Sequence, residues 1–504
     1  MMRSPFPAAF LLALLLPLPA WSQDGKPAEK PKDPDDEKPV VTQHDGRIGG
    51  KLIKYTATAG KMPLRDAEGK TEAHIFYIAY TAKDVGEPVK RPLMFSFNGG
   101  PGSSSVWLHL GALGPKRVAL PEEPTIPPPP FRLVDNAESW LDKTDLVFID
   151  PVATGYSRAV KPDLNKKYHG LKGDIASVGE FIRMYLTLNE RWTSPLYLVG
   201  ESYGTTRAAG LAGHLAEEGI VVNGIILISS VLDFQTIRQA RTNDEPNVLF
   251  LPSFAATAWY HKQLSEDLQK TELPKLLDEA RRWAEGDYRA ALDQGDRLSP
   301  EARRAVVQSL ARYTGLSERF LDLNDLRVSQ SEFSKELLRD KRRSLGRFDS
   351  RYQGTVEDPG SPTPDFDPSE AAVRPAYTAT FNQYARAELG YKSDTPYHIL
   401  GGGQIGKWDW GTDGYGYPET GSALRDAMAR NPHLKVMVAS GYYDLATPFA
   451  ATEYTLAHMK LDPSLRKNVR VTYYEAGHMM YLHGPSLVKL KKDAVEFLDD
   501  SDGP

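Results

Sequence analysis

The chain has no cysteine in 504 residues. That excludes disulfide staples, thiolate nucleophiles and cysteine-ligated metal sites together. A chain of this length buries a core large enough to do without staples. Long apolar runs are also missing. Beyond Ala8 to Leu16, nothing approaches the roughly eighteen uninterrupted apolar residues that a membrane-spanning helix needs. Basic excess is absent as well: 61 Lys and Arg against 66 Asp and Glu leave a net charge of −5, with no electrostatic footprint for nucleic acid. The His-Glu-x-x-His zinc-peptidase signature does not occur. No motif calls for a metal or an organic cofactor.

What is present begins with Arg3, the apolar run Ala8 to Leu16, and Pro17-Leu18-Pro19-Ala20-Trp21-Ser22. Small residues at cleavage positions make residues 1–22 read as a signal peptide, the alternative being an uncleaved anchor. The expected location is periplasmic or secreted, with no membrane attachment after cleavage. Together with the lack of cysteine, this suits a bacterial secreted protein better than a eukaryotic vacuolar one. Residues 23–46 are charged and proline-rich, which predicts a disordered leader.

Residues 47–504 read as one domain. Lys51 to Thr81 carries β-like alternation with turn signals at Ala59-Gly60 and Glu68-Gly69, predicting antiparallel strands. From Pro92 to Leu232, apolar strands alternate with helical stretches, which predicts a mainly parallel sheet covered on both faces. Asp174 is placed as the cap of one such helix. The pattern changes over about residues 235–430, where 261–345 is helical in composition and 354–375 and 401–417 are loop-rich. Strand character resumes at Leu434, so this stretch reads as an insertion forming a lid over the sheet.

The sharpest local signal is Gly200-Glu201-Ser202-Tyr203-Gly204, set between Leu196-Tyr197-Leu198-Val199 and a small-residue helical pattern through Leu215. A serine flanked by glycines between a strand and a helix can sit on a tight turn at a sheet end. The helix N-terminus then presents the following amide to a negatively charged oxygen. Such a serine needs an acid and a histidine later in the chain, in that order. Asp444 follows the strand-like run Leu434 to Ala439, and His478 follows the β-rich run Val469 to Tyr474. Asp409 and Asp413 compete for the acid, but no strand leads into them. His44, His261 and His483 lie in polar or turn-rich surroundings and read as surface residues.

At this point the chain resembles the serine carboxypeptidases of the α/β-hydrolase fold. The resemblance rests on Phe97-Asn98-Gly99-Gly100-Pro101-Gly102-Ser103-Ser104-Ser105, on Asp150-Pro151-Val152-Ala153-Thr154-Gly155-Tyr156-Ser157, on the Gly200 to Gly204 elbow, and on Ala476-Gly477-His478-Met479. It implies an α/β-hydrolase fold with a helical lid insertion and a cofactor-free hydrolysis of peptide substrates. It also implies Ser202, Asp444 and His478 as the catalytic triad, with Gly100 and Tyr203 supplying the oxyanion amides. The substrate's terminal carboxylate would be held by Asn98, Gly99 and Glu201, a contact through which an exopeptidase rejects internal bonds. The chain departs from the pattern where Ala112 stands in place of a second carboxylate-binding glutamate. Ser103 and Thr447 each replace a cysteine.

Two rival classes follow from the same residues. An esterase or acyltransferase would use the same triad, and Ala112 favours it; a binding protein on this fold would be expected to lack a triad residue, and none is lacking. Gly401-Gly402-Gly403-Gln404-Ile405-Gly406 matches a dinucleotide fingerprint literally, but further glycines and Pro418 follow where a helix is required. Trp408, Trp410, Tyr415 and Tyr417 beyond it read either as an aromatic wall of the substrate cleft or as a plain surface loop.

Overall fold

Apolar runs rich in β-branched and aromatic residues set the strands. In the computed structural model, which describes residues 38–501 apart from 402–405 and 413–415, the main sheet consists of β1 (Val40–Ile48), β2 (Lys51–Arg65), β3 (Thr71–Ala82), β4 (Leu93–Phe97), β5 (Asp145–Ile149), β6 (Leu196–Glu201), β7 (Gly224–Ile228), β8 (Lys435–Gly441) and β9 (Val469–Tyr474). Their spatial order is β1-β2-β3-β5-β4-β6-β7-β8-β9, and a two-residue strand, Arg158–Ala159, pairs with β3. The pairs from β1 to β5 are antiparallel; those from β5 through β9 are parallel. Every residue of β4, β5, β6 and β7 is buried, which is why these strands read as continuous apolar runs rather than alternating ones. This is the mainly parallel sheet expected of an α/β-hydrolase.

Two apolar layers cover the sheet. One packs it against helices Leu171–Leu188 and Tyr203–Glu217, the other against Pro368–Ala387 and Gly484–Ser501. The chain leaves β4 for β5 on one side and returns to β6 on the other. The carboxyl ends of β4 and β6 therefore form a crevice at a topological switch point. Asn98, Ser202, Asp444 and His478 each follow the carboxyl end of a parallel strand, so one edge of the sheet gathers all four. Between β7 and β8 the chain is largely helical, with Glu245–Tyr260, Leu273–Trp283, Pro300–Thr314 and Pro368–Ala387 the longer helices.

Four expectations need correction. The leader expected to 46 ends sooner, because β1 begins at Val40 and pairs residue by residue with β2. The alternation of β1 is masked because the inner face carries Thr42, His44 and Gly46 while Val41 points outward. No turn occurs at Ala59-Gly60; β2 runs straight through, with Gly60 opposite Tyr77. The loop-rich stretch 354–375 contains a helix start, since Asp367 accepts from the Ser369 and Glu370 amides and Pro368 takes the first position. Asp174 is not a cap: Gly170 holds that position, and Asp174 is buried in the first turn. The signal peptide at 1–22 and the leader up to residue 37 lie outside the described residues, as do Gly402 to Ile405, Asp413 and Tyr415. Among the described residues no helix is long and apolar enough to cross a membrane.

Candidate active site

The turn from β6 into helix Tyr203–Glu217 is made by Ser202 itself, at φ 59° and ψ −132°. A non-glycine residue held there carries backbone strain, which persists only where surrounding structure over-determines it. Here the Ser202 amide donates to the Ile228 carbonyl at 3.0 Å. Gly204 serves close approach: a Cβ there would lie 2.7 Å from the Phe97 carbonyl oxygen of β4. Gly99 meets the elbow in the same way, since its Cβ would collide with the Tyr203 and Gly204 amide nitrogens. The 98–100 loop and the serine turn are thus in backbone contact through Gly99 and the Tyr203 and Gly204 amides.

A buried ion pair fixes that contact. Arg207, on the helix after Ser202, bonds Asp174 through Nε at 2.8 Å and a second nitrogen at 3.1 Å, and donates to the Asn98 carbonyl at 2.7 Å. Its guanidinium lies 5.2 Å from the centres of both the Phe97 and Tyr203 rings, and the Tyr203 hydroxyl donates to Asp174 at 3.0 Å. On the far side of the loop, Asp150 accepts the Ser105 amide at 2.8 Å, with burial pushing its carboxyl up to about 7.

Asp444 and His478 reach the same edge from β8 and β9. His478 Nδ1 lies 2.7 Å from Asp444 Oδ2, and both residues are almost wholly buried. The Ala446 and Thr447 amides donate to Asp444 Oδ1 at 2.7 and 2.9 Å, and the Thr447 hydroxyl donates to Oδ2 at 2.8 Å. The residue expected in place of a cysteine therefore orients the acid. Burial by itself would lower the His478 pKa; the Asp444 carboxylate outweighs it and leaves the pKa above the ordinary histidine value. His478 Nε2 has no hydrogen-bond partner among the described residues, and the ring lines the cavity that Ser202 also lines.

A stretch of the insertion that sequence reasoning missed holds the histidine loop. The Phe348 carbonyl accepts the His478 amide at 2.6 Å, and the Phe348 ring lies 5.1 Å from the imidazole. Asp349 accepts the Gly477 amide at 3.2 Å and is paired with Arg351 at 2.6 Å. The Ser350 amide donates to the Tyr443 carbonyl, and the Leu445 amide to that of Arg347. One segment thus grips both the acid loop and the histidine loop. Residues that act through carbonyls carry no side-chain signature, so only the Asp349–Arg351 pair could have hinted at it.

The cavity, of about 100 Å³, is lined by Asn98, Gly99, Gly100, Glu201, Ser202 and His478, with Trp107, Phe348, Val373, Leu400 and Met479 as apolar walls and Arg347 and Glu370 as charged members. Asn98 Oδ1 accepts the Leu108 amide at 3.0 Å, while its buried Nδ2 makes no other close hydrogen bond among the described residues and bears on Glu201. Glu201 is buried and accepts from the Tyr481 hydroxyl at 2.6 Å. Burial pushes the Glu201 carboxyl up to about 7 against the opposing pull of His478 and Tyr481. Of the expected site residues, only Asp444 and Tyr203 are not cavity-lining. Asp444 stands behind His478, and Tyr203 turns its ring away toward Asp174.

Other candidates fall elsewhere. Trp408 and Trp410 pack edge-on against Tyr203, and Tyr417 joins the same small cluster; none of the three lines the cavity. They buttress the helix start rather than forming a cleft wall. Asp409 is exposed and bonds through its backbone to the Gly170 region. His261, read as a surface residue, is buried against the Ser350 carbonyl at 2.7 Å. Ser103 fills its cysteine position by accepting from Trp107 Nε1 at 2.9 Å. Among the described residues no group of three His, Cys, Asp or Glu side chains is arranged to hold a metal ion.

Comparison with known proteins agrees with this geometry. Residues 54–280 match the family described as serine carboxypeptidase. The pheromone-processing carboxypeptidase KEX1 of Saccharomyces cerevisiae is 34% identical over 156 residues, which are 29% of this chain and 20% of that protein. Serine carboxypeptidase-like 45 of Arabidopsis thaliana is 27% identical over 217 residues, covering 39% of this chain and 42% of its own. The matched region thus spans less than half the length of either relative. A crystal structure of the S. cerevisiae prohormone-processing carboxypeptidase aligns at 17% identity with a TM-score of 0.56, over 88% of this chain and 91% of that one. These matches support the serine carboxypeptidase family and the α/β-hydrolase fold.

The Asp444–His478 contact makes a direct prediction. Asp444→Asn is expected to lower the His478 pKa, because burial is then opposed only by the weaker pull of Glu201, and NMR titration of the imidazole would read this. Turnover should fall by roughly 10³ to 10⁴ with the fold intact. An unchanged imidazole titration would mean that Asp444 does not set the state of His478.

Proposed function

We propose that this chain, of the serine carboxypeptidase family on the α/β-hydrolase fold, hydrolyses the last peptide bond of peptide substrates through an acyl-enzyme. The observation that carries the reading is one cavity shared by Ser202 and His478 with Asn98 and Glu201, two buried groups able to bind a carboxylate. In this reading His478 takes the proton of Ser202 as the hydroxyl oxygen attacks the last peptide carbonyl. The Gly100 and Tyr203 amides stabilise the resulting oxyanion. His478 returns the proton to the departing amine, which frees the C-terminal residue and leaves an ester on Ser202. A water, deprotonated by His478, cleaves that ester and restores the hydroxyl. Asp444 stabilises the imidazolium in both halves.

The terminal carboxylate is read as meeting Asn98 Nδ2, the Gly99 backbone and the Glu201 carboxyl. A neutral Glu201 donates a hydrogen bond to that carboxylate, whereas an ionised one repels it. The raised pKa of Glu201 is what makes this workable near neutrality. Ala112 supports a second reading, an esterase or acyltransferase, since it removes the other acid of the related pattern. The signal-peptide pattern in residues 1–22 supports a periplasmic or secreted, bacterial setting for either activity.

Two experiments test the reading. Ser202→Ala should lower turnover by several orders of magnitude at unchanged melting temperature. Activity above about a tenth of wild type would displace Ser202 as nucleophile. The second compares a free-acid peptide with its C-terminally amidated counterpart between about pH 4 and 8. Ionisation of Glu201 removes the donor, so the ratio of their kcat/KM values should fall as pH rises through about 7. His478 deprotonation affects both substrates and cancels in the ratio. A flat ratio, or an amide cleaved as well as the acid throughout, would turn the assignment to the esterase.

A further inference from the structure

Ala112 stands where the related pattern has a second glutamate, and Gly111 beside it packs against another part of the chain. Gly111 and Ala112 lie in a fully buried turn, His109–Leu113. A Cβ on Gly111 would sit 2.5 Å from the Tyr481 ring and 2.5 Å from the Tyr377 hydroxyl. The absence of a side chain at 111 is therefore matched by two tyrosines pressed into the space. Tyr481 comes from the short turn Met480–Leu482 just after His478, and Tyr377 from helix Pro368–Ala387. Tyr481 donates to Glu201 Oε2 at 2.6 Å.

We infer that Tyr481 is a positioning residue for recognition of the C-terminal carboxylate, its hydroxyl occupying one oxygen of Glu201 and leaving the other for the substrate. The inference rests on the carboxypeptidase reading above. A second glutamate at 112 would share a proton with Glu201, and the pair would titrate as a unit. A phenol does not: burial keeps the Tyr481 hydroxyl protonated far above the working range. It is a permanent donor, so the site loses its preference for a free carboxylate when a single group, Glu201, ionises. The other groups acting on Glu201 are His478 and Asn98, which favour its charged form, and Asp444, which opposes it. The Tyr377 hydroxyl lies near but has no hydrogen-bond partner among the described residues. Tyr481 holds Glu201 without belonging to the residues read as the triad or to the 98–100 loop.

Tyr481→Phe tests this by removing only the hydroxyl. A hydrogen bond to the charged form lowers a carboxyl pKa, so its loss should move the pH midpoint of the acid-to-amide kcat/KM ratio upward by about one unit. At pH 5 the same variant should bind the free-acid peptide about tenfold more weakly through KM, because the Glu201 carboxyl is no longer held. Hydrolysis of the amide and fluorophosphonate labelling of Ser202 should both stay within about twofold of wild type, since the reacting groups are untouched. A Tyr481→Phe protein with the wild-type midpoint and ratio would overturn the inference. So would an equal loss for both substrates, which marks a packing role. A ratio already flat in the wild type would instead bring down the carboxypeptidase reading from which the inference starts.

Discussion

The arrangement of the site depends on one buried cation. Arg207 is almost wholly removed from solvent, as is Asp174, and each of its hydrogen-bonding arms does a different task. Two nitrogens neutralise Asp174, and a third holds the Asn98 carbonyl. The pair therefore ties the helix that follows Ser202 to the loop that carries Asn98, Gly99 and Gly100. Pairs of this kind contribute little net stability, because desolvating two charges offsets most of their attraction. Removing one partner is another matter, costing about 3–5 kcal/mol through the stranded charge. The contact is better understood as fixing a geometry: it holds the 98–100 loop against the helix that follows Ser202, whose own φ is a strained 59°.

A second constraint is topological. Asp444 and His478 are separated from Ser202 by the long insertion between β7 and β8, and the parallel sheet brings them back to its carboxyl edge. The sheet alone does not hold their loops. The segment around Phe348 and Asp349, which belongs to the insertion, bonds the backbone of both. A Cβ on Gly477 would collide with Asp349 and with the Phe348 carbonyl, so the histidine loop and the insertion are fitted to each other. The insertion thus does more than cover the cavity; it is part of what places the imidazole.

Much of this was legible in the sequence, for identifiable reasons. Buried parallel strands announce themselves as apolar runs, so β6 and β8 are legible to within two residues, β9 is legible from its β-branched and aromatic residues, and the loops after them carry the candidate site residues. Ser202, His478, Asn98, Gly99, Gly100 and Glu201 meet in one cavity because each lies within a residue or two of a strand end, or in the motif that follows it. What escaped had no local signature. β1 is an edge strand with Thr42, His44 and Gly46 on its inner face, and its composition merges with the leader before it. Asp174 looks like a helix cap until Arg207, thirty-three positions later, is known to be its partner. Trp408 and Trp410 look like a cleft lining until the ring of Tyr203 is seen beneath them.

Glu201 and Ser202 are consecutive, one the last residue of β6 and the other the turn after it. In the proposed reading, chemistry and terminal-carboxylate recognition are therefore coupled through a single peptide bond, and neither residue can shift without the other. Variation in that recognition would have to come from what surrounds Glu201. What surrounds it includes a tyrosine from the histidine loop, packed against Gly111. Because Tyr481 follows His478 by three residues, the loop read as presenting the base also holds one oxygen of Glu201. A displacement of that loop would alter proton transfer and carboxylate binding together. Its anchoring by Phe348, Asp349 and Ser229 is accordingly a requirement of both.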